Sequence, residues 1–145
     1  MASSEHTSAQ KANLELVSGG LENWIAGDQE ATIADFADDV EVFVPPELGN
    51  AGTYTGIEQF RRWFADWDEV WSEFEMTVES IEPAGERHVV AIIRSRGIGA
   101  GSGIEVENEL AWVIGVRDRM MDFLSLQTDL EAARTVIEER EGAGP

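Results

Sequence analysis

Residues 60–74 of the chain read FRRWFADWDEVWSEF. At the helical rotation of about 100° per residue, their apolar positions fall on one arc of roughly 120°. These positions are Phe60, Trp63, Phe64, Trp67, Val70, Trp71 and Phe74. The residues between them are polar or alanine, so the pattern predicts an amphipathic helix that runs to Phe74. Its aromatic face either packs in an ordinary core or lines a cavity for a small molecule.

Another helix is predicted nearer the N-terminus. A capping box at Thr7–Gln10 is expected to start it. Its apolar positions follow at helical spacing and are Leu14, Val17, Leu21, Trp24 and Ile25. Gly19 and Gly20 lie inside this helix, where each glycine costs up to about 1 kcal/mol relative to alanine. Either the helix tolerates the pair, or something bulky approaches the backbone there. Gly27 ends the helix, and Asp28 can cap a short helix that reaches about Phe36.

The remaining sequence alternates between strand patterns and turns. The first strand, 40–44, is stopped by Pro45-Pro46, and a loop follows it up to Tyr54. Thr55–Glu58 reads as a second capping box, at the start of the aromatic helix. Further strands are predicted at residues 76–82, 88–98, 104–116 and 120–128, and a helix capped by Asp129 follows at residues 130–140. This order predicts an α+β fold with helices packed on one face of a mostly antiparallel sheet.

Charge and composition exclude several classes of function. The chain has 145 residues, 29 acidic and 10 basic side chains and a net charge of −19, which disfavours nucleic acid and anionic lipid as partners. It has no cysteine and two histidines, His6 and His88, so we expect no cysteine nucleophile and no bound metal. The N-terminus does not read as a signal peptide, and no apolar run approaches ~18 residues. We therefore expect a soluble cytoplasmic protein with no membrane partner and no cofactor.

Four short segments stand out by their order and spacing. They are Ala26-Gly27-Asp28, Phe36-Ala37-Asp38-Asp39-Val40, Tyr54-Thr55-Gly56-Ile57-Glu58-Gln59-Phe60 and Gln127-Thr128-Asp129. Together they resemble the SnoaL-like branch of the nuclear-transport-factor-2-like superfamily. The resemblance implies one domain over residues 8–140, with flexible tails at 1–7 and 141–145. It also implies a cone-shaped, strongly curved sheet with three N-terminal helices and a C-terminal helix around a hydrophobic cavity. A homodimer, formed through the outer face of the sheet, is the expected assembly.

The resemblance does not imply one reaction, because this scaffold hosts isomerases, cyclases, dehydratases, epoxide hydrolases and binders without catalytic activity. Ketosteroid isomerases on the scaffold use an aspartate as general base, with a tyrosine and a protonated aspartate as the oxyanion hole. The corresponding positions here hold Val44, Gly20 and Trp112. The resemblance therefore implies that the chain is not a ketosteroid isomerase.

Two other catalytic sets of the superfamily are also incomplete. Limonene-type epoxide hydrolases use an arginine and an aspartate two residues apart, with a second aspartate on the last strand. The matching positions here are Arg94-Ser95-Arg96 and Leu126, so the arginine is present without the carboxylates. Cyclases of the SnoaL type and scytalone-type dehydratases need a histidine in the cavity. His88 starts a strand, and we expect it at the surface.

Residues 105–112 alternate strictly, and two ways of facing this strand remain open. If Trp112 faces the cavity, the period of two places Asn108 inside and Glu109 outside. Glu109 would then pair with Arg94 in an ion-pair ladder across the sheet. A shift of one residue would instead place Arg94 and Glu109 inside as an acid–base pair.

We predict a mainly apolar cavity that binds a small hydrophobic molecule. Its predicted lining is Trp24, Phe36, Tyr54, Trp63, Trp67, Asn108, Leu110, Trp112 and Leu126. Trp71 is assigned to ordinary core. The alternative is a cofactor-independent isomerase, cyclase or epoxide-hydrolase-type enzyme. Its candidate acid–base groups are Arg94 with Glu109, or Asp122. Asp122 shares a strand face with Leu126, so it lies in the cavity if that face points inward. The alternative is that Asp122 is a solvated group near a turn.

Overall fold

The computed structural model describes residues 6–46 and 51–142, which form four helices and six strands. The helices are α1 (Ser8–Ile25), α2 (Gln29–Ala34), α3 (Ile57–Val70) and α4 (Leu130–Gly142). The strands are β1 (Phe36–Val44), β2 (Gly52–Thr55), β3 (Trp71–Ala84), β4 (His88–Gly99), β5 (Glu105–Arg117) and β6 (Met120–Gln127). The predicted α+β class is confirmed. None of the helices in these two ranges has the length and apolarity needed to cross a membrane.

The strands form one curved, open sheet in the order β2-β1-β6-β5-β4-β3. Neighbouring strands are antiparallel, except that β1 and β6 run parallel. We call the face that carries Ile93, Leu110 and Trp112 the inner face. The apolar sides of α1 and α3 pack on it and form the main core with it, with Val17 and Phe60 fully buried. The inner face is therefore the side on which an internal cavity can form.

The predicted cap of α1 and the close approach to its backbone are both present. The Thr7 hydroxyl accepts from the Gln10 amide at 3.0 Å, and the Gln10 side chain accepts from the Thr7 amide at 3.0 Å. A Cβ on Gly20 would stand 2.7 Å from Cε of Met121, whereas one on Gly19 would meet nothing within 4 Å. The glycine pair therefore serves two purposes: Gly20 admits the Met121 side chain, and Gly19 is merely tolerated.

The aromatic helix is shorter than the sequence predicts. α3 ends at Val70, and Trp71 is already extended, with φ −115° and ψ 134°. Trp71 pairs with Gly99 of β4, and the Ala100 amide donates to the Val70 carbonyl at 2.8 Å. The prediction of helix through Phe74 is wrong because pairing with a distant strand outweighs the local helical pattern. Helical periodicity alone carries no information about that pairing.

The segment before α3 also differs from the prediction. The predicted capping box at Thr55–Glu58 does not form: Gly56, with φ 88°, is the N-cap and makes no side-chain cap bond. The Gln59 side chain instead accepts from the Thr55 amide at 2.8 Å. Gly52–Thr55, predicted as loop and helix start, is strand β2 and pairs with β1. Residues 47–50 of the predicted loop lie outside the described residues.

The prediction that all helices pack on one face of the sheet is wrong for α4. α4 lies on the opposite side, which we call the outer face, where Ala133 packs with Ala111, Val113 and Phe123. The predicted cap is present, since Asp129 accepts from the Ala132 amide at 2.8 Å. α4 therefore covers part of the face through which a homodimer is expected.

His88 is buried, with 1% of its surface exposed, and its predicted surface position is wrong. α4 covers it: Nε of Arg140 donates to Nε2 of His88 at 2.9 Å, and Nδ1 of His88 lies 2.5 Å from Glu141. The Arg140 guanidinium also stacks 3.6 Å from the centre of the Phe123 ring. Glu141 thus lies in α4 and not in a tail, and the last described residue of the chain is Gly142.

The two titratable partners respond to their burial in opposite ways. Burial lowers the pKa of His88 below its ordinary 6.5, and the charge of Arg140 adds to this, while the hydrogen bond to Glu141 opposes it. Partial burial raises the pKa of Glu141, but hydrogen bonds from His88 and the Arg87 backbone outweigh it and leave that pKa below 4.5. A neutral ring with its proton on Nδ1 satisfies both contacts, because Nε2 accepts from Arg140.

We predict that this cluster makes stability depend on pH. The folded-state pKa of His88 lies below 6.5. The contribution of the neutral, buried ring to the free energy of unfolding is therefore complete above pH 6.5 and is lost as the pH falls toward the folded-state pKa. Each tenfold weaker binding of the proton by the folded state than by the unfolded state corresponds to about 1.4 kcal/mol of unfolding free energy. Urea unfolding at several pH values should show this fall in the wild type and its absence in His88→Gln. The exposed His6→Gln variant is the control, and equal slopes in all three proteins would contradict the prediction.

Candidate functional site

An internal cavity lies between the inner face of the sheet, α3 and the end of α1. We call it the aromatic cavity. Its lining consists of Trp24, Trp63, Trp67, Trp71, Phe74, Met76, Ser95, Gly97, Val106, Asn108, Leu110, Trp112 and Leu126. The space open to the centres of water molecules is about 20 Å³, which is enough for about one water molecule. The side chains themselves therefore nearly fill the cavity.

Six aromatic residues form most of the cavity wall. On α3, Trp63 and Trp67 stack at 5.4 Å between ring centres, as their i, i+4 spacing allows. Trp67 also meets Trp71 at 5.6 Å and Phe74 at 5.5 Å, in edge-to-face contacts. The sixth residue is Trp24, which closes the wall against Trp112 of β5 at 4.9 Å. Aromatic side chains in such contacts bury large apolar areas and hold one another in place.

Part of this lining is not predicted from the sequence. Trp71, predicted to lie in ordinary core, borders the cavity, and so do Phe74, Met76 and Gly97. Trp71 and Phe74 reach the cavity from β3 because α3 ends at Val70. The aromatic spacing in residues 60–74 correctly indicates that these rings share a surface. It does not indicate that Trp71 and Phe74 belong to a strand and not to the helix.

Of the two predicted orientations of β5, the structure has the one with Asn108 inside and Glu109 outside. Asn108, Leu110 and Trp112 line the cavity. Ser95 lies opposite Asn108 in the register of β4 and β5, so these two side chains supply the polar groups of the lining besides the indoles. Leu126 of β6 also lines the cavity, opposite Trp112. None of the lining residues in the described part of the chain is titratable.

Arg94 and Glu109 lie on the outer face, with 63% and 64% of their side chains exposed. Arg94 is 3.1 Å from Glu79 and 3.8 Å from Glu109. Arg96 is 2.8 Å from Glu105, and its hydrogen bond lowers the pKa of that carboxyl. The structure thus contains the ion-pair ladder and does not place Arg94 and Glu109 in the cavity. Pairs this exposed contribute little to stability.

Asp122 also lies away from the cavity. It is 3.6 Å from Arg117 and borders a small pocket on the outer side, together with His88 and Arg140. Its predicted face, shared with Leu126, is wrong because the register of β5 and β6 shifts between Gly115 and Val116. An irregularity of one residue moves the side chains beyond it to the other face of the sheet.

Two more predicted lining residues stand beside the cavity and not on it. Phe36 is buried, packs against Phe60 at 4.9 Å between ring centres, and borders a separate pocket of about 10 Å³ that shares Trp24 and Trp112 with the aromatic cavity. Tyr54 lies on β2, is partly buried and packs against the main core. Both residues therefore support the packing around the cavity.

Three indole N–H groups of the lining have no hydrogen-bond partner among the described residues. They belong to Trp63, Trp71 and Trp112, and each Nε1 atom is buried. A buried donor without a partner costs about 1–3 kcal/mol. The lining therefore combines an apolar wall with several donors that have no acceptor in the described part of the chain.

The fold is that of a known family. Residues 17–122 match the model of the SnoaL-like domain, so the chain belongs to the SnoaL-like family of the nuclear-transport-factor-2-like superfamily. None of the curated proteins matches the chain significantly in sequence.

Several solved structures share the fold at low identity. TerC co-crystallized with polyporic acid is 18% identical, with a TM-score of 0.72 and coverage of 88% of this chain and 98% of that one. An NTF2-like protein of unknown function from Burkholderia pseudomallei is 16% identical, with a TM-score of 0.74 and coverage of 87% and 97%. A hypothetical protein with a ketosteroid isomerase-like fold from Catenulispora acidiphila, in complex with trimethylamine, is 22% identical, with a TM-score of 0.68 and coverage of 80% and 86%.

We predict that Gly97 is needed for the shape of the cavity. A Cβ at this position would stand 2.6 Å from Cε3 of Trp71 and 3.0 Å from Cδ1 of Phe74, so Gly97→Ala must displace rigid rings. Overpacking of this kind costs about 1–3 kcal/mol. Urea unfolding should show that loss, and near-ultraviolet circular dichroism should show a changed tryptophan environment. Gly101→Ala is the control, since a Cβ there meets nothing within 4 Å; equal stabilities of the two variants would contradict the prediction.

Proposed function

We propose that the protein binds a small hydrophobic molecule in the aromatic cavity. The observation that carries this proposal is the wall of six aromatic rings around a lining with few polar groups. Small-molecule sites are commonly concave and apolar, with a few polar groups that orient the ligand. Trp24, Trp63, Trp67, Trp112, Leu110, Leu126 and Asn108 are the predicted binding residues that border it.

Two structures of similar fold support a small-molecule ligand in general terms. TerC was co-crystallized with polyporic acid, and the Catenulispora acidiphila protein is in complex with trimethylamine. At 18% and 22% identity these proteins share the fold with this chain. The choice of ligand is a matter of each protein's own lining, because one scaffold serves many functions.

We favour binding over turnover. Proton transfer in the cavity would require an acid or base within hydrogen-bond reach of the ligand. Arg94, Glu109 and Asp122, the candidate groups of the enzymatic alternative, all stand outside the lining, and the lining residues that the structure describes carry no titratable group. The enzymatic alternative therefore has no specific observation in its favour.

The ligand is expected to enter by displacing side chains at the mouth of the cavity. Trp63, Leu110 and Trp112 at its base are buried, whereas Trp67 and Trp71 are only partly buried. Since the free volume is about 20 Å³, a ligand of two rings must push the outer rings apart. We therefore propose that binding is coupled to opening of the mouth.

We predict that indane, an apolar molecule of two fused rings, binds in the cavity and shifts the indole resonances in proton–nitrogen NMR spectra. Asn108→Phe should weaken its binding at least about tenfold, because Asn108 belongs to the exposed part of the lining and a ring there would narrow the mouth of the cavity. Glu107→Phe is the matched control: it adds the same ring to the neighbouring residue, which faces outward, and should leave the affinity unchanged. Equal indane affinities of both variants would contradict the proposed site.

We also propose that the protein is a homodimer through the part of the outer face that α4 leaves open. That part carries Arg94 and Arg96 among an excess of glutamates, so two copies repel each other at low ionic strength. Sedimentation velocity should show a dimer fraction that rises with added salt and falls in Arg94→Glu. A strict monomer at micromolar concentration in both low and high salt would contradict the dimer.

A further inference from the structure

The three unpaired indole N–H groups carry information about the ligand. In folded proteins nine in ten or more of the buried polar groups have a hydrogen-bond partner, and exceptions call for an explanation. Here three exceptions, at Trp63, Trp71 and Trp112, belong to the lining of one cavity. Trp63 and Trp112 are 1% and 4% exposed, so bulk water does not accept hydrogen bonds from their N–H groups.

The residues that the structure describes offer these donors no acceptor. Ser95 and Asn108 are the lining residues with polar side chains other than the indoles, and neither accepts from an indole N–H. No carboxylate is part of the lining that the structure describes. An indole N–H only donates, so an acceptor atom on a molecule bound in the cavity would pair with these groups.

The charge of the ligand follows from the same lining. An anion would meet no cationic side chain among the described lining residues, in a chain whose net charge is −19. An ammonium cation could lie against the aromatic ring faces, but it has no acceptor atom and would leave the indole N–H groups unpaired. Transfer of an unpaired charge out of water is far more costly than transfer of a neutral polar group.

We infer that the ligand is uncharged and carries at least one acceptor oxygen, of the kind found in a ketone, that receives a hydrogen bond from one or more of the indole N–H groups of Trp63, Trp71 and Trp112. This inference rests on the proposed function, because it names the chemistry of the molecule that the aromatic cavity binds. Purely apolar molecules of the same shape bind there more weakly, since they leave the three donors unpaired.

The test compares three probes of one shape: indane, 1-indanone and indane-1-carboxylate. We expect 1-indanone to bind about tenfold more tightly than indane, as one hydrogen bond to a buried donor is worth about that factor. The carboxylate should bind more weakly than the ketone. In proton–nitrogen NMR spectra, 1-indanone should move the indole proton signal of at least one of Trp63, Trp71 and Trp112 downfield, while indane should not.

A variant separates hydrogen bonding from packing. Trp112→Phe keeps an aromatic ring and removes one N–H, so the ratio of the indane and 1-indanone dissociation constants should fall several-fold. Glu107→Phe on the outer face should keep the wild-type ratio. Because the ratio compares two probes in the same protein, a general loss of packing cancels. Should Trp112→Phe fail to fold, the indole shifts in the wild type decide.

The outcomes distinguish this inference from the function on which it rests. Equal binding of indane and 1-indanone, without downfield shifts, would overturn the acceptor requirement and leave hydrophobic binding in place. Tighter binding of the carboxylate than of the ketone would overturn the uncharged ligand. Failure of all three probes to bind would overturn the proposed function and the inference together.

Discussion

The packing of the aromatic side of α3 against the inner face of the sheet is the contact on which the rest of the molecule depends. Phe60 and Trp63 are at most 1% exposed, and aromatic rings of this size bury more apolar area than other side chains. α3 ends at Val70, where the pairing of Trp71 with Gly99 of β4 begins β3. The following rings, Trp71 and Phe74, are carried from the helix to the strand and complete the cavity wall.

The sheet separates apolar from charged chemistry. The inner face holds the core and the cavity, whereas the outer face holds α4, the buried His88 cluster and the ladder of Arg94 and Arg96. Burial of an unpaired charge is costly, so the excess of acidic groups stays outside. A charged side chain on the inner face would have to replace one of the aromatic side chains that hold α3 in place. A cavity whose polar groups are neutral follows from that constraint.

Membership of the SnoaL-like family accounts for the scaffold and leaves the chemistry to individual side chains. Val44 and Trp112 stand where the resemblance places the carboxylates of ketosteroid isomerases, and both are buried and apolar or aromatic. At Gly20, where those enzymes have a tyrosine, the Met121 side chain occupies the space. Packing groups thus stand where the resemblance places catalytic groups, which fits the proposal of a site that holds a ligand by shape and by neutral hydrogen bonds.

The sequence by itself determined which side chains share a face: the α3 rings repeat every three or four residues, and Asn108, Leu110 and Trp112 repeat every two. Only the tertiary structure decided which face lies inside, where the helix gives way to strand at Trp71, and that Asp122 turns away after the shift in β6. It also decided that α4 buries His88. The reason is physical: periodicity is set by local backbone geometry, whereas register, strand pairing and coverage depend on contacts between residues far apart in the chain.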